Sequence, residues 1–147
     1  ASERQVLRAM GRRIKELSFI YGVSFAVREN TTLPEMLTSI IRIVPSGWQH
    51  GDVAVARVTV DGTVYQSEHF REGVATQAAL LEVMGRERGR VEVIYTEDRP
   101  EEDEGPFLAS ERDLIAALAR LISDGIERRE LRALAPAGAP GVTPDAP

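Results

Sequence analysis

The chain has 147 residues, which is enough for one hydrophobic core and too few for two ordinary domains. Apolar residues make up 43% and charged residues 28% of it, as in a folded globular protein, and the formal net charge of −5 argues against a nucleic-acid partner. The chain contains no cysteine, which excludes disulfides, thiolate metal sites and a cysteine nucleophile.

The first predicted element is a long helix over residues 2–28. Apolar residues recur in it at alternating steps of three and four and form one stripe, made of Leu7, Met10, Ile14, Leu17 and Tyr21. A mean step of 3.5 residues favours pairing with a second copy of the same helix. The same stripe is also typical of a helix that packs on a sheet, so both interpretations stay open at this stage.

A second helix is predicted after the break at Asn30-Thr31-Thr32. Thr32 and Glu35 have the spacing of a capping box, and Pro34 is tolerated because first-turn amides have no partner within the helix. The helix has a broad apolar face and is predicted to end at 45–47, where a proline and a glycine occur. Its apolar residues are Met36, Leu37, Ile40, Ile41 and Val44.

A hairpin is predicted from the strand-like runs 53–60 and 63–67, joined by Asp61-Gly62, because this dipeptide suits the two positive-φ positions of a type I′ turn. This register pairs Val60 with Thr63 and Arg57 with Gln66. One face of the first strand then carries Ala54, Ala56, Val58 and Val60. The other face carries Val53, Val55, Arg57 and Thr59, together with Gln66, Glu68 and Phe70 from the partner strand.

The remaining elements complete an antiparallel arrangement. Strands over 77–84 and 90–95 are predicted to be joined by a loop at 85–89, and an acidic loop at 96–106 precedes a last helix capped by Ser110. Residues 135–147, rich in Pro, Ala and Gly, are expected to be a linker or tail beyond a domain at 1–134. The order predicts an α+β fold with the N- and C-terminal helices packed on one face of the sheet.

Several segments in this order resemble a GAF domain, in the compact form found in sensor histidine kinases and next to phosphoenolpyruvate-utilising enzymes. The segments span most of residues 5–134, and the most similar one runs from Glu104-Gly105-Pro106-Phe107-Leu108 to Glu111-Arg112. The others are Ile43-Val44-Pro45 with Trp48, Ala56-Arg57-Val58, Phe70-Arg71, Gly89-Arg90-Val91-Glu92-Val93 with Tyr95, Leu114-Ile115 and Ile126-Glu127-Arg128.

The resemblance implies a GAF-like antiparallel sheet with a ligand pocket on the face opposite the terminal helices. It also implies a cytoplasmic sensor or dimerisation module, with a homodimer formed through the terminal helices and an adjacent output domain such as a histidine kinase. The family binds very different small molecules, so the resemblance does not name a ligand. Members that act or attach a bilin through cysteine are excluded for this chain, because it has none.

Arg57 is the leading candidate for ligand binding, because it interrupts an apolar strand on the predicted pocket face. A guanidinium there would bind a small anion through paired hydrogen bonds, and the alternative is a diagonal salt bridge to Glu68. Phe70, Arg71, Trp48 and Glu68 complete the predicted binding set, although Trp48 is more typical of a core residue beneath a loop.

The candidates for chemistry are few. His50 and His69 are the two histidines, and neither has a predicted nucleophile beside it, so we expect no catalytic site. The acidic loop lacks the spacing of a calcium loop, and we expect no metal and no cofactor. No run is long and apolar enough to span a membrane, and the N-terminus lacks a secretion signal, so a cytoplasmic location is expected. The sequence thus favours a non-catalytic sensor module, the alternative being a degenerate GAF domain that only dimerises.

Overall fold

The computed structural model describes residues 2–134, and the predicted linker or tail at 135–147 lies outside this range. None of the helices in the described range is long and apolar enough to cross a membrane. The helices are α1 (Glu3–Glu29), α2 (Leu33–Ile43) and α3 (Ala109–Leu134). The strands are β1 (Ala54–Val60), β2 (Thr63–Gln66), β3 (Ala75–Val83) and β4 (Arg86–Tyr95).

The four strands form one antiparallel sheet in the order β2-β1-β4-β3. The predicted α+β class and the antiparallel pairing are therefore confirmed. Asp61 and Gly62 adopt φ angles of 51° and 86°, and Val60 pairs with Thr63 while Arg57 pairs with Gln66. The first hairpin therefore has the predicted turn and register.

The sheet has an inner face, which meets the helices, and an outer face. Burial alternates along β1, where Ala54, Ala56, Val58 and Val60 lie on the inner face. These residues form one hydrophobic cluster with the buried side chains of α1, α2 and α3. The two terminal helices therefore lie on the same side of the sheet, as predicted, with α2 beside them.

Two opposite faces of α1 have different surroundings. Phe19, Val23, Ala26 and Val27 are buried in the core. The five residues of the apolar stripe are instead between 54% and 71% exposed. The interpretation in which this stripe packs on the sheet is therefore wrong, because a different face of the helix meets the core. The interpretation in which the stripe pairs with a second copy stays a prediction.

The helices α1 and α3 run side by side in the same direction. Near the end of α1, Val27 lies close to Gly125, and Arg129 donates a hydrogen bond of 3.1 Å to the Val27 carbonyl. Further back along α1, Glu16 borders a small cleft together with Glu111 from the first turn of α3. Positions near the middle of α1 thus match the start of α3, and the first residues of α1 project beyond it.

The second hairpin differs from the prediction. A two-residue turn, Met84-Gly85, joins its strands with φ angles of 52° and 78°, so the predicted loop at 85–89 is wrong. The pairing shifts by one residue because Leu81 faces Gly89 whereas Glu82 faces Glu87. This shift makes Arg88 the extra residue of a β-bulge. The strand β3 also begins at Ala75, two residues before the predicted start.

The start of α3 also differs from the prediction. Ser110 lies inside the helix, which begins at Ala109, so its predicted role as the N-cap is wrong. Carboxylates accept hydrogen bonds from the amides at the start of the helix instead. Leu108 N donates to Glu111 (2.8 Å) and Ala109 N donates to Asp103 (2.9 Å). The capping box predicted for α2 is confirmed, since Thr32 and Glu35 bond reciprocally.

Candidate functional site

Arg57 lies on the outer face at the centre of an ionic cluster. Its Nε donates to Glu92 Oε1 at 2.7 Å and its Nη2 donates to Glu92 Oε2 at 3.2 Å. Its Nη1 donates to Glu72 at 2.9 Å, and its guanidinium carbon lies 4.9 Å from the centre of the Phe70 ring. We call Arg57, Phe70, Glu72 and Glu92 the Arg57 cluster.

The segment between β2 and β3 brings Phe70 and Glu72 over the sheet. Val74 N donates to the Tyr95 carbonyl at 2.9 Å, which fixes the end of this segment on β4. At Gly73 a Cβ atom would collide with the Tyr95 carbonyl and with the side chain of Ile94. The glycine therefore allows the close approach that buries Ile94 on the outer face.

The single cation of the cluster is held by two carboxylates. The hydrogen bonds that Arg57 donates to Glu92 and Glu72 raise the pKa of Arg57 above its ordinary value. The Glu92 side chain is 7% exposed, and Arg57 is its bidentate partner. The predicted alternative, a salt bridge from Arg57 to Glu68, is wrong in its partner, because the carboxylates that contact Arg57 belong to Glu72 and Glu92.

Other residues of the predicted binding set lie elsewhere. Glu68 is exposed and lines a groove of about 620 Å³ between α2 and β2, together with His69, Tyr65 and Arg42. Arg71 is also exposed, and its Nη2 lies 4.0 Å from Glu97. The structure therefore brings Phe70 to Arg57 and leaves Glu68 and Arg71 outside the cluster.

Trp48 lies on the other side of the sheet and is fully buried. Its ring meets the ring of Phe19 edge-on at a centroid distance of 5.4 Å. Its Nε1 donates to Gln77 Oε1 at 3.0 Å, which satisfies a buried indole and a buried amide together. Trp48 is therefore separated from Arg57 by the sheet, as expected of a core residue.

The polar chain that begins at Trp48 continues into the acidic loop. Gln77 Nε2 donates to Glu104 at 3.5 Å, and Arg112 binds both carboxylate oxygens of Glu104, at 3.0 and 2.6 Å. These contacts lower the pKa of Glu104, mainly through the hydrogen bond from Arg112. Arg112 also donates to the Ala78 carbonyl at 2.7 Å. The end of the loop is thus anchored to both β3 and α3.

A second set of buried polar groups lies nearby, at the start of α3. The Glu111 carboxylate accepts hydrogen bonds from Leu108 N and Gln49 N, at 2.8 and 2.6 Å, and burial raises its pKa. Burial also raises the pKa of Tyr95 to about 12. The Tyr95 hydroxyl accepts a hydrogen bond from the backbone amide of His50 at 3.3 Å, and the His50 ring meets the Tyr95 ring edge-on at a centroid distance of 5.7 Å.

The apolar stripe of α1 is a further feature of the surface, and all five of its residues are exposed. It extends over four turns and faces away from the core, which receives Phe19 and Val23 from the opposite side of the helix. Phe25, which is 52% exposed, lies beside its C-terminal end. The single chain thus buries one apolar face of α1 and leaves the other in contact with solvent.

Sequence reasoning missed Glu92 and Glu72 as the partners of Arg57, and Gln77 and Glu104 as partners in the core network. One signal was present: Glu92 is the single charged residue in the run 91–95, as Arg57 is in the run 53–60. Each lone charge in an apolar strand predicts a partner on the same face. The pairing of β1 with β4 was needed to identify that partner.

Comparison of the chain with protein-family models and with curated protein sequences found no match.

Proposed function

We propose that this chain is a non-catalytic regulatory module of GAF-like architecture that acts by forming a homodimer through the apolar stripe of α1. The observation that carries the proposal is the exposure of all five stripe residues. They lie on a helix whose opposite face enters the core from Phe19 onward. Removing such a stripe from water favours association with a second apolar surface. The alternating steps of three and four residues along the stripe are typical of a helix that pairs with a second copy of itself.

The architecture supports the GAF-like part of the proposal. An antiparallel sheet with both terminal helices on its inner face is the arrangement that the resemblance implies. Within this proposal the module transmits a change in helix position to an adjacent output domain, such as a histidine kinase, in the cytoplasm. The parallel course of α1 and α3 supports this role because it connects the two ends of the module.

Two versions of the module differ in whether it binds a ligand. In the sensor version, Arg57 binds a small anion, but such an anion would have to displace a carboxylate that already holds the guanidinium. Displacing Glu92 is costly because that carboxylate is buried and would lose its bidentate partner, with only Arg90 left at 3.7 Å. Displacing the exposed Glu72 costs little, but the anion would then take only the position at Nη1, because Nε and Nη2 stay bonded to Glu92. The contacts of Arg57 therefore favour the version in which the module dimerises and spaces neighbouring domains without a ligand.

Sedimentation equilibrium tests the proposal directly. We expect the unmodified chain to be a dimer and Ile14→Glu to dissociate at least about tenfold more readily, because a charge would be buried in the seam. Ala9→Glu introduces the same charge at an exposed position of α1 outside the stripe and serves as the matched control. A chain that sediments as a monomer, or an Ile14→Glu variant that dimerises as well as Ala9→Glu, contradicts the proposal.

A further inference from the structure

We infer that two copies of this chain pair their α1 helices in parallel and in register, so that each stripe residue meets the same residue of the second copy. This inference rests on the proposed function and adds the direction and register of the dimer. Three observations carry it: the spacing of the stripe, the residues that flank it, and the direction of α3 relative to α1.

The stripe fits the seven-residue repeat of a two-stranded coiled coil. Leu7, Ile14 and Tyr21 occupy the first position of successive repeats, and Met10 and Leu17 occupy the fourth. The residues of α1 that enter the core lie on other positions of the repeat. The seam of a coiled coil is therefore available without disturbing the packing of the single chain.

The flanking residues favour the parallel arrangement. In a parallel pair, the seventh position of one repeat faces the fifth position of the next repeat on the second copy. This rule places Ile20 against Phe25 of the second copy, and Arg13 against Ser18. The exposed ring of Phe25 thus gains an apolar neighbour, although it lies outside the stripe. Along the stripe itself, from Leu7 to Tyr21, no two like charges meet in this parallel pair, and outside the stripe Glu3 and Arg28 each face their own copy.

The antiparallel registers are less favourable. In one of them Leu7 faces Leu17 and Met10 faces Ile14 of the second copy, but the flanks then bring Arg13 against Arg13. Two like charges beside an apolar seam oppose association.

In the other antiparallel register, Ile14 faces Leu17 and Met10 faces Tyr21. Leu7 then faces the polar Ser24, and Phe25 faces Arg4. This register leaves the first stripe residue without an apolar partner. The parallel register is therefore the one that gives all five stripe residues an apolar partner and keeps like charges apart between Leu7 and Tyr21.

The direction of α3 gives the parallel pair its consequence. Because α3 runs in the same direction as α1, a parallel dimer brings the two C-terminal ends of α3 to the same end of the assembly. Leu131 and Leu134 are exposed there, at 51% and 77%.

The absence of cysteine makes disulfide cross-linking a direct test. We expect Leu7→Cys and Tyr21→Cys each to form a covalent dimer on mild oxidation, because parallel pairing places each residue beside its own copy. A disulfide requires Cα atoms within about 7 Å. The antiparallel registers separate these pairs by at least about 15 Å along the helix axis. Arg8→Cys, exposed on another side of α1, is the matched control and should stay uncross-linked.

A second cross-link leaves the stripe intact. A mixture of Arg13→Cys and Ser18→Cys chains should form a mixed covalent dimer, because these positions meet only in the parallel arrangement. In an antiparallel pair, seventh positions face seventh positions and fifth positions face fifth positions. Arg13 and Ser18 then lie on opposite sides of the seam.

The outcomes separate this inference from the proposed function. Cross-linking of Leu7→Cys and Tyr21→Cys, together with the mixed dimer, supports the parallel register. A chain that sediments as a dimer but gives none of these cross-links overturns the parallel register and leaves the proposed dimer standing. A chain that sediments as a monomer overturns both.

Discussion

The inner and outer faces of the sheet are built from different chemistry on the same four strands. On the inner face, small and branched apolar side chains of β1 share one hydrophobic cluster with buried side chains of the three helices, and Gln77 links the buried Trp48 to the Glu104 carboxylate. On the outer face, the centre of the sheet carries Arg57 and Glu92, which are partly covered by a short segment rather than by a helix.

The two faces therefore contribute to the stability of the fold in different ways. The inner face removes large apolar side chains from water, and this burial is the dominant favourable contribution to folding. The outer face replaces that contribution with an ion pair whose attraction is offset by the loss of hydration. A face held in this way depends on both partners being present, so removing one of them is more harmful than removing both.

The largest expected contrast compares an inner with an outer aromatic or aliphatic side chain. Trp48→Ala should lower the free energy of unfolding by about 3–5 kcal/mol, because it leaves a cavity beside Phe19. It also removes the donor to Gln77. Leu80→Ala, at a position 55% exposed on β3, should change the free energy of unfolding by less than about 0.5 kcal/mol. Urea unfolding followed by circular dichroism measures both, and equal effects would refute the contrast between the faces.

A smaller effect is expected within the Arg57 cluster. Arg57→Met should lower the free energy of unfolding by about 1–3 kcal/mol, because it removes the bidentate partner of the buried Glu92 carboxylate and leaves only Arg90, at 3.7 Å. Adding Glu92→Leu to that variant should restore most of the loss, since the charges that then remain nearby, on Glu72 and Arg90, are exposed.

Glu72→Gln is the internal control for this cycle, because that carboxylate contacts the same guanidinium but is 74% exposed. Its effect should stay below about 1 kcal/mol. If Arg57→Met lowered the free energy of unfolding as little as Glu72→Gln does, the buried pair of Arg57 and Glu92 would not contribute to stability.

The smallest expected effect is a pH dependence at the bulge in β4. Arg88 binds Asp61 and Glu130, and its hydrogen bonds lower the pKa of both carboxyl groups. A lowered pKa contributes stability above the ordinary carboxyl value of about 4, and the contribution is lost as pH falls through the folded-state value. Arg88→Gln should therefore lose less stability than the unmodified chain between pH 6 and pH 3, by urea midpoints.

The control for this measurement is Arg86→Gln, which removes an exposed arginine from the same hairpin. Its acid dependence should match that of the unmodified chain. Glu111 acts in the opposite direction in all of these proteins, because burial raises its pKa and its contribution declines as pH rises.

Local features of this fold could be predicted from the sequence. The hairpin turn at Asp61-Gly62 and the capping box at Thr32 and Glu35 each depend on a few adjacent residues whose backbone preferences or side chains decide the structure. The long terminal helices followed from the periodicity of their apolar residues. These elements together were sufficient for the α+β class and for the side of the sheet on which the helices lie.

Features that depend on distant contacts could not be predicted in the same way. The Met84-Gly85 turn lacks the Asn or Asp that usually marks such a turn, and the bulge at Arg88 becomes evident only once Asp61 and Glu130 are seen beside it. The partner of Arg57 was assigned within its own hairpin because the neighbour on the other side of β1 was unknown. Sheet order is the information that was missing at the candidate site.

The shared direction of α1 and α3 has a mechanical consequence. Glu16 lies level with Glu111, so Glu3 and Leu134 are held roughly 55 Å apart if both helices are straight. Arg129 joins the two rods near the far end of α1 by donating to the Val27 and Asn30 carbonyls, at 3.1 and 2.5 Å. A displacement of α1 along its axis would therefore act on α3 directly through the Arg129 side chain, close to the C-terminal end of α1.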